Sequence, residues 1–567
     1  MTRDRVGVWR VAVGAIAVIL LAGCRAQDSQ APNVDPSLVT LSPGQSAPVA
    51  GATTLRVQGG STGSEDVLVL VDTSTTNVST KTSYTVAATG IGAAGAVSAP
   101  ATSLSPDPNA AGAPRLDLGF GVRLNEASRV RLRPAFHAAR SMLASRTAAR
   151  AGRSSSVAAA VPNVGELVNV NVGSDACDTL VPGVARVVAV STRAIVLADT
   201  LNPTGGFSAS DYQRFAARFD TLVYPLDVAN FGAPADIDQN QRVILLFTKA
   251  VNELTPRNSG SYVGGFFYDR DLFPVTDSPQ LAGCKGSNVG ELFYLLAPDP
   301  TGQVNGNIRR TGFVDSVTTS VLAHEFQHLI NASRRLFINT TSDDFEVTWL
   351  NEGLSHIAEE LLFYHEANLS PRQNIDVTLL RSSAAARGAF NTDQFANVAR
   401  YELYLEAPSE SSPYRNDDSL ETRGATWDFL RYAADRKASG AGTDAATWQA
   451  LVNSNTTGLA NLRTVFGSDI AGMVRDWAVS HYTDDLNALV AREQTQPSWN
   501  FHSIFPALGS GGNSYPLQVR SLQGSAASGT LIGGGAAYYR FSIPSNGTAT
   551  ISVTAPGPVQ AVVVRVR

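Results

Sequence analysis

The sequence predicts an α+β protein. Its centre is a two-lobed unit, a mixed sheet with one long buried helix followed by a helical lobe, and small all-β modules flank it. Three observations predict this. Both ends carry short runs of β-branched and apolar residues separated by Gly, Ser and Thr, the pattern of small antiparallel modules. Between residues 161 and 361, apolar runs of strand length lead into an uninterrupted helical stretch. Beyond residue 361 the periodicity is mainly helical. At 567 residues the chain is too long for one compact domain, and a hydrophobic content of 44% supplies a core. The net charge of −5 is mild and dispersed, so nothing asks for nucleic acid or an anionic membrane surface as a partner.

Residues 1–23 read as an export signal. Arg3, Arg5 and Arg10 precede an apolar run over residues 11–22. That run is too short to span a bilayer and suits a signal-peptide core. It ends Leu21-Ala22-Gly23-Cys24, which resembles the lipobox of bacterial lipoproteins. The resemblance implies lipid attachment at Cys24, cleavage before it, and a membrane tether without a span. Arg25 follows in place of an inner-membrane-retaining Asp, which points to the outer membrane or cell surface. With Cys24 acylated, Cys177 and Cys284 form an even pair, expected to be disulfide-bonded in an oxidising compartment.

Residues 24–37 read as a tether and 38–100 as an N-terminal β-domain, with strands expected at 54–57, 66–72 and 83–88. Leu41-Ser42-Pro43-Gly44-Gln45 resembles the opening of β-sandwich modules that flank secreted peptidases. Residues 101–160 begin loop-like, then carry many arginines and no acid from 129 to 153. They read as a linker or a pro-segment open to cleavage. No aromatic platform accompanies the arginines, which speaks against nucleic acid. His137 lies here without an assigned role.

Residues 161–509 read as the central globular unit. Strands are expected at 167–172, 185–190, 194–198, 243–247 and 292–296, and a helix at 208–222 capped by Ser208 or Ser210. Residues 236–242 open like an EF-hand loop, with Asp236, Asp238 and Asn240. Gln241 stands where that loop needs Gly, and Phe247 where it needs its last carboxylate. A tight turn feeding the next strand is therefore preferred to a Ca2+ site.

The stretch 316–361 carries the chemistry. His324-Glu325-Phe326-Gln327-His328 is an H-E-x-x-H pattern on a helix without Pro or Gly from 314 to 335, with Asp315 or Ser316 expected at its cap. Residues i and i+4 share a helix face, so both histidines can address one metal ion, with Glu325 beside it as a base toward water. Two histidines on an apolar helix are costly to bury without such a partner. The third ligand then comes from a later acid: Glu346, Glu352, Glu359 or Glu360. Glu352 is preferred because it opens a second helix, where Gly353 lets the two helices approach closely. Glu346 precedes β-type residues and reads as a loop acid or cap. The longer metzincin pattern is excluded, since Asn331 and Arg334 occupy its Gly and His positions.

The string HEFQHLIN followed by WLNEGLSHIAEEL resembles the gluzincin metallopeptidases, most closely the hyicolysin-type bacterial neutral metallopeptidases, over about residues 165–507. Softer agreement extends to DIDQNQRVILLFT, GGFFYDRDLFP, GELFYLLAPDP and ATWDFLRYAAD. The resemblance implies a two-lobed zincin-like unit and a zinc endopeptidase acting on protein or peptide substrates. It implies His324, His328 and Glu352 as zinc ligands and Glu325 as general base. In thermolysin-like members the residue four past the ligand Glu is an Asp bonded to a zinc His. Here it is His356, which leaves that supporting role open, with Glu359 and Glu360 as candidates.

Helices are expected at 425–437, 447–453 and 470–481. Tyr401, Tyr404, Tyr432, His481 and Tyr482 are candidate oxyanion donors, with no local signal to choose among them. No aminopeptidase-type G-x-M-E-N motif is present, which favours an endopeptidase. Residues 510–567 read as a C-terminal β-rich module resembling pre-peptidase C-terminal modules. Its strands, at 537–543, 548–554 and 559–566, are too few for a sandwich alone, so the module is either truncated or packed on residues 38–100. The alternative classes are a catalytically retired scaffold that binds at the cell surface and an adhesin whose β-modules do the binding; intact Glu325 argues against the first.

Overall fold

The computed structural model describes residues 38–49, 54–76, 78–92, 115–116, 119–133, 161–173, 177–277, 279, 283–339, 341–342, 344–437, 443–508, 515–522 and 526–567. Cys24, the signal and tether, His137 and most of the arginine-rich stretch lie outside these residues.

The described chain opens with strands β1 (Leu38–Thr40), β2 (Ser46–Val49), β3 (Thr54–Gln58), β4 (Ser64–Asp72) and β5 (Thr82–Thr89). The two-residue β6 (Arg115–Leu116) and helix α1 (Gly119–Leu132) follow. The central unit contributes β7 (Leu167–Asn171), β8 (Pro182–Val190), β9 (Ala194–Asp199), β10 (Val243–Thr248), β11 (Ser261–Tyr262), β12 (Gly265–Phe267) and β13 (Leu292–Leu296). Six of these form one mixed sheet in the order β12-β13-β10-β9-β8-β7. Its middle strands β9, β10 and β13 run parallel, and β12 closes one edge antiparallel to β13. The parallel strands read as continuous apolar runs because both faces are covered. A disulfide joins Cys177 to Cys284, 107 residues apart, beside this sheet.

Two long helices follow the sheet, α2 (Thr311–Ser333) and α3 (Thr348–Ala367). Nearly every residue of α3 is buried, and α2 is buried from Thr318 onward. The start of α2 differs from expectation. Its N-cap is Arg310, and Asp315 lies one turn inside, where it pairs with Arg214 at 2.5 Å. An acid in the first turns is favoured by the dipole without being the cap. Edge strand β12 lies against α2, and a Cβ on Gly265 would sit 2.9 Å from both Tyr294 O and Val321 Cγ1. Only glycine permits that approach.

The helical lobe adds α4 (Phe395–Glu406), α5 (Leu420–Lys437) and α6 (Ile470–Thr483). Gly353 meets α5, not α2: a Cβ there would lie 2.4 Å from Thr426 Cγ2. The glycine expected to let the two motif helices approach instead seats the next helix against α3. The fold is thus α+β, a sheet with its helix pair and then a helical lobe, flanked by β-structure.

The chain returns to β-structure with β14 (Val519–Ser521), β15 (Ala526–Leu531), β16 (Ala536–Ile543), β17 (Thr548–Thr554) and β18 (Val559–Arg565). These interleave with β1–β5. One sheet runs β1-β3-β17-β5-β15 and the other β14-β16-β4-β18-β2. In the second, β4 is central, with Leu68 and Leu70 facing the sandwich core and Val67, Val69 and Val71 facing the helical lobe. All nine of its residues are buried, which explains a run that does not alternate. Tyr538 of β16 fixes the join by donating to Ala478 O of α6 at 2.7 Å.

Candidate metal centre

The helix period places His324 and His328 on one face of α2, and α3 brings Glu352 opposite them. One ligand atom from each lies within 4.8 Å of the other two, and all three residues are buried. His324 Nε2 stands 3.1 Å from His328 Nε2, and Glu352 oxygens stand 3.1 Å from His328 Nε2 and 3.5 Å from His324 Nε2. A tetrahedral ion with bonds of about 2.0 Å sets its ligand atoms about 3.3 Å apart.

The outer ring nitrogens fix the tautomers. His324 Nδ1 donates to Glu359 Oε1 at 2.8 Å. Ser355 Oγ gives its proton to Gln327 Oε1 at 2.7 Å and so accepts from His328 Nδ1 at 3.0 Å. Both Nε2 lone pairs therefore face each other and the Glu352 carboxylate. Three acceptors converging in a buried space repel unless a cation lies among them, so the donor set fits a divalent metal. Electrostatics agree. Burial works to lower the His324 imidazole, yet the carboxylates of Glu352 and Glu359 outweigh it and push it up to about 9, so the pocket favours positive charge at Nε2, where a proton and a metal ion would compete for the same lone pair. Burial works to raise Glu352, but Arg423 and the two histidines hold it well below the usual carboxylate range.

His324, His356 and Glu359 also cluster. Their close contacts are hydrogen bonds of 2.8 Å and 3.2 Å to Glu359, with Nδ1 atoms as donors. Burial pushes His356 down to about 3, so it stays neutral and serves Glu359. Glu359 thus holds the outer nitrogen of His324, the contact that the sequence left open between Glu359 and Glu360. Glu360 points elsewhere, accepting from Arg431 Nη2 at 2.6 Å and Trp499 Nε1 at 2.8 Å. Glu346 is held by Arg335 at 2.5 Å, Gly458 N at 2.7 Å and Asn461 Nδ2 at 2.7 Å, a structural acid away from the triad. Glu359→Ala is expected to lower divalent-metal affinity about 10- to 100-fold, read by competition with a chromophoric chelator. A change under about threefold would remove Glu359 from this role.

Glu325 lies next to the ligand face and is 2% exposed. Its Oε2 accepts from Phe267 N of edge strand β12 at 2.8 Å, and burial raises its pKa. A buried carboxylate with a raised pKa, fixed by one backbone donor, is suited to accept a proton.

Sequence reasoning missed two neighbours. Arg423 of α5 stands 2.5 Å from Glu352 Oε2 and is itself held by Asp418, which orients the carboxylate. Helix α1 lies over the cluster. Asn125 donates to Phe267 O at 2.9 Å and accepts from Asp269 N at 2.7 Å. Arg129 pairs with Asp269 at 2.5 Å and donates to Glu346 O at 3.1 Å. Between α1 and the ligands His328 and Glu352 remains a cavity of about 10 Å3, room for about one water. Of the candidates for oxyanion donors, four lie in packed surroundings away from the His/His/Glu cluster. Tyr401, Tyr404 and His481 pack together, His481 lies 3.0 Å from Tyr538 Oη, and Tyr432 donates to Glu493 O at 2.6 Å.

Two adjacent helices, one carrying H-E-x-x-H and the next a facing Glu, beside the edge strand of a mixed sheet, define a zincin-like metal centre. No family model matches the chain. Over 221 residues it is 31% identical to "Neutral metalloprotease ShpI" of Staphylococcus hyicus, covering 38% of this chain and 46% of that protein. The match thus spans about half the length of the curated relative.

Proposed function

We propose that this chain is a zinc metalloendopeptidase, with His324, His328 and Glu352 as ligands and Glu325 as general base. The observation that carries the reading is the tautomer-locked His/His/Glu cluster with Glu325 beside it. The likeness to a neutral metalloprotease supports it. Zinc bound there supplies Lewis acidity toward a water and the scissile carbonyl. Glu325 takes the proton of the attacking water and returns it to the departing nitrogen. Edge strand β12 offers backbone groups on which an extended peptide can lie as an added strand. Glu359 and Ser355 keep the ligand histidines in one tautomer, and Arg423 keeps Glu352 in place.

The anchoring and domain readings are part of the same proposal. The lipobox-like Leu21-Ala22-Gly23-Cys24 supports lipid attachment at the cell envelope, and among the described residues no helix is long and apolar enough to cross a membrane. Residues 161–509 act as the peptidase unit. Residues 101–160 act as a pro-segment, which α1 supports by lying across β12 and the ligands.

The test pairs metal content with cleavage. The full chain, nicked within its arginine-rich stretch, is expected to bind about one zinc and cleave an unfolded protein such as casein. Chelation should abolish cleavage and zinc restore it, and Cys24→Ser should release the chain from the membrane fraction. Zinc without cleavage after nicking would favour a retired scaffold. No zinc would sink the ligand assignment, and membrane retention of the Cys24 variant would sink the anchor.

A further inference from the structure

Asp236, Asp238 and Glu291 form a second carboxylate cluster, with one oxygen of each within 4.8 Å of the others. Asp236 and Asp238 lie in the turn that feeds β10, and Glu291 immediately precedes β13. Those strands are parallel neighbours, with Ile244 opposite Leu292, so the sheet itself sets the three acids together.

Glu291 is 3% exposed. Its Oε1 accepts from Ile237 N at 2.7 Å, while its Oε2 has no hydrogen-bond partner. The charges that bear most on it are the like ones of Asp238 and Asp236. A cavity of about 80 Å3 adjoins the cluster, lined by Asp236, Glu291, Tyr224, Arg193 and Arg242 among others. Neither arginine neutralises the acids. Arg242 donates to Ser191 O and Asn240 O at 2.7 Å each, and Arg193 lies over the Tyr224 ring. A buried carboxylate with one unpartnered oxygen, set within 4.8 Å of two more carboxylates, is a costly arrangement in its charged form without a cation.

We propose that Asp236, Asp238 and Glu291 bind one calcium ion. All-oxygen, carboxylate-rich coordination suits calcium, whereas zinc prefers nitrogen and sulfur and magnesium retains several waters. The turn has the Asp-x-Asp-x-Asn opening of a calcium loop, but the closing carboxylate comes from the residue just before β13, 54 residues past Ile237, not from position twelve, where Phe247 stands. The preference for a plain tight turn rested on that missing local acid. The site braces the metal helix from behind. Ala235 N donates to Ser333 Oγ at 3.2 Å, and Arg334 donates to Ala233 O, so the loop clasps the last turn of α2. This inference stands whether or not the chain is a peptidase.

The test uses the zinc-loaded full chain carrying Glu325→Gln, so that self-digestion does not enter. Calcium at about 1 mM is expected to raise Tm saturably. Tb3+ should give luminescence sensitised by Tyr224, displaced by calcium. Glu291→Gln keeps an acceptor for Ile237 N, and Asp236→Asn lies at an exposed position, so at least one variant retains the fold. Each should weaken calcium affinity at least tenfold with the zinc content unchanged. No calcium-dependent shift in the parent, or an undiminished one in a folded variant, would overturn the proposal.

Discussion

Glu325→Gln is expected to lower kcat by about 10³-fold, within the 10²–10⁴ range of a general base, while zinc stays at about one per chain. The substitution is nearly isosteric. Its amide oxygen still accepts from Phe267 N, so the strand-to-helix contact survives. What disappears is the proton acceptor beside the ligand face. An interaction needed only in the transition state lowers kcat and kcat/KM together, so KM should move little. Steady-state kinetics with a fluorogenic peptide, alongside metal analysis, reads both. Loss of zinc with the activity would make Glu325 a ligand or a structural residue. Activity within about tenfold of the parent would exclude it as the base.

The candidate site was legible where the helix period carries it. His324 and His328 at i and i+4, and Glu352 at the head of the next helix, need only two helices packed face to face. Glu359 is two turns past Glu352 and Ser355 less than one, so the supporting face of α3 follows from the same period once Glu352 is placed. His356 hid this, because it stands where the related pattern has an acid. Arg423, Asn125 and Arg129 had no local signal, since each reaches the site from another part of the chain. Glu291 carries no local signal for the same reason, since it reaches the 236–242 turn from 54 residues past Ile237. In the fold, β13 was readable from its apolar run and β17 from its alternation of Thr and Ser with apolar residues. The pairing of Ile551 with Leu55, or Val562 with Val69, was not, because register between distant strands is set by the assembled core. The opening of α2 carries no side-chain signal in the sequence, because Arg310 serves as N-cap through its extended backbone alone and not through a capping side chain such as Asp315 or Ser316.

Cutting the arginine-rich stretch after α1 is expected to switch activity on without releasing the N-terminal piece. Asn125 bonds to Phe267 O on the outer edge of β12 and to Asp269 N just beyond it, backbone groups a peptide laid along that edge would meet. While α1 is seated, the site beside His328 and Glu352 has room for about one water, so substrate and helix exclude each other. Strands β3, β4 and β5 are hydrogen-bonded to β15–β18, so a nick cannot shed them. The two fragments should co-elute in size exclusion while α1, freed at its C-terminal end, swings away. Asn125→Ala offers the same release without proteolysis. Its two hydrogen bonds are worth about 1 kcal/mol each, so losing both raises the open population about thirtyfold, and activity of the uncut chain with it. The nicked chain should gain little from the substitution, because its helix is already free. A fall in activity in the uncut Asn125 variant, or equal rates before and after nicking, would show that α1 is a fixed wall of the site and not its cover.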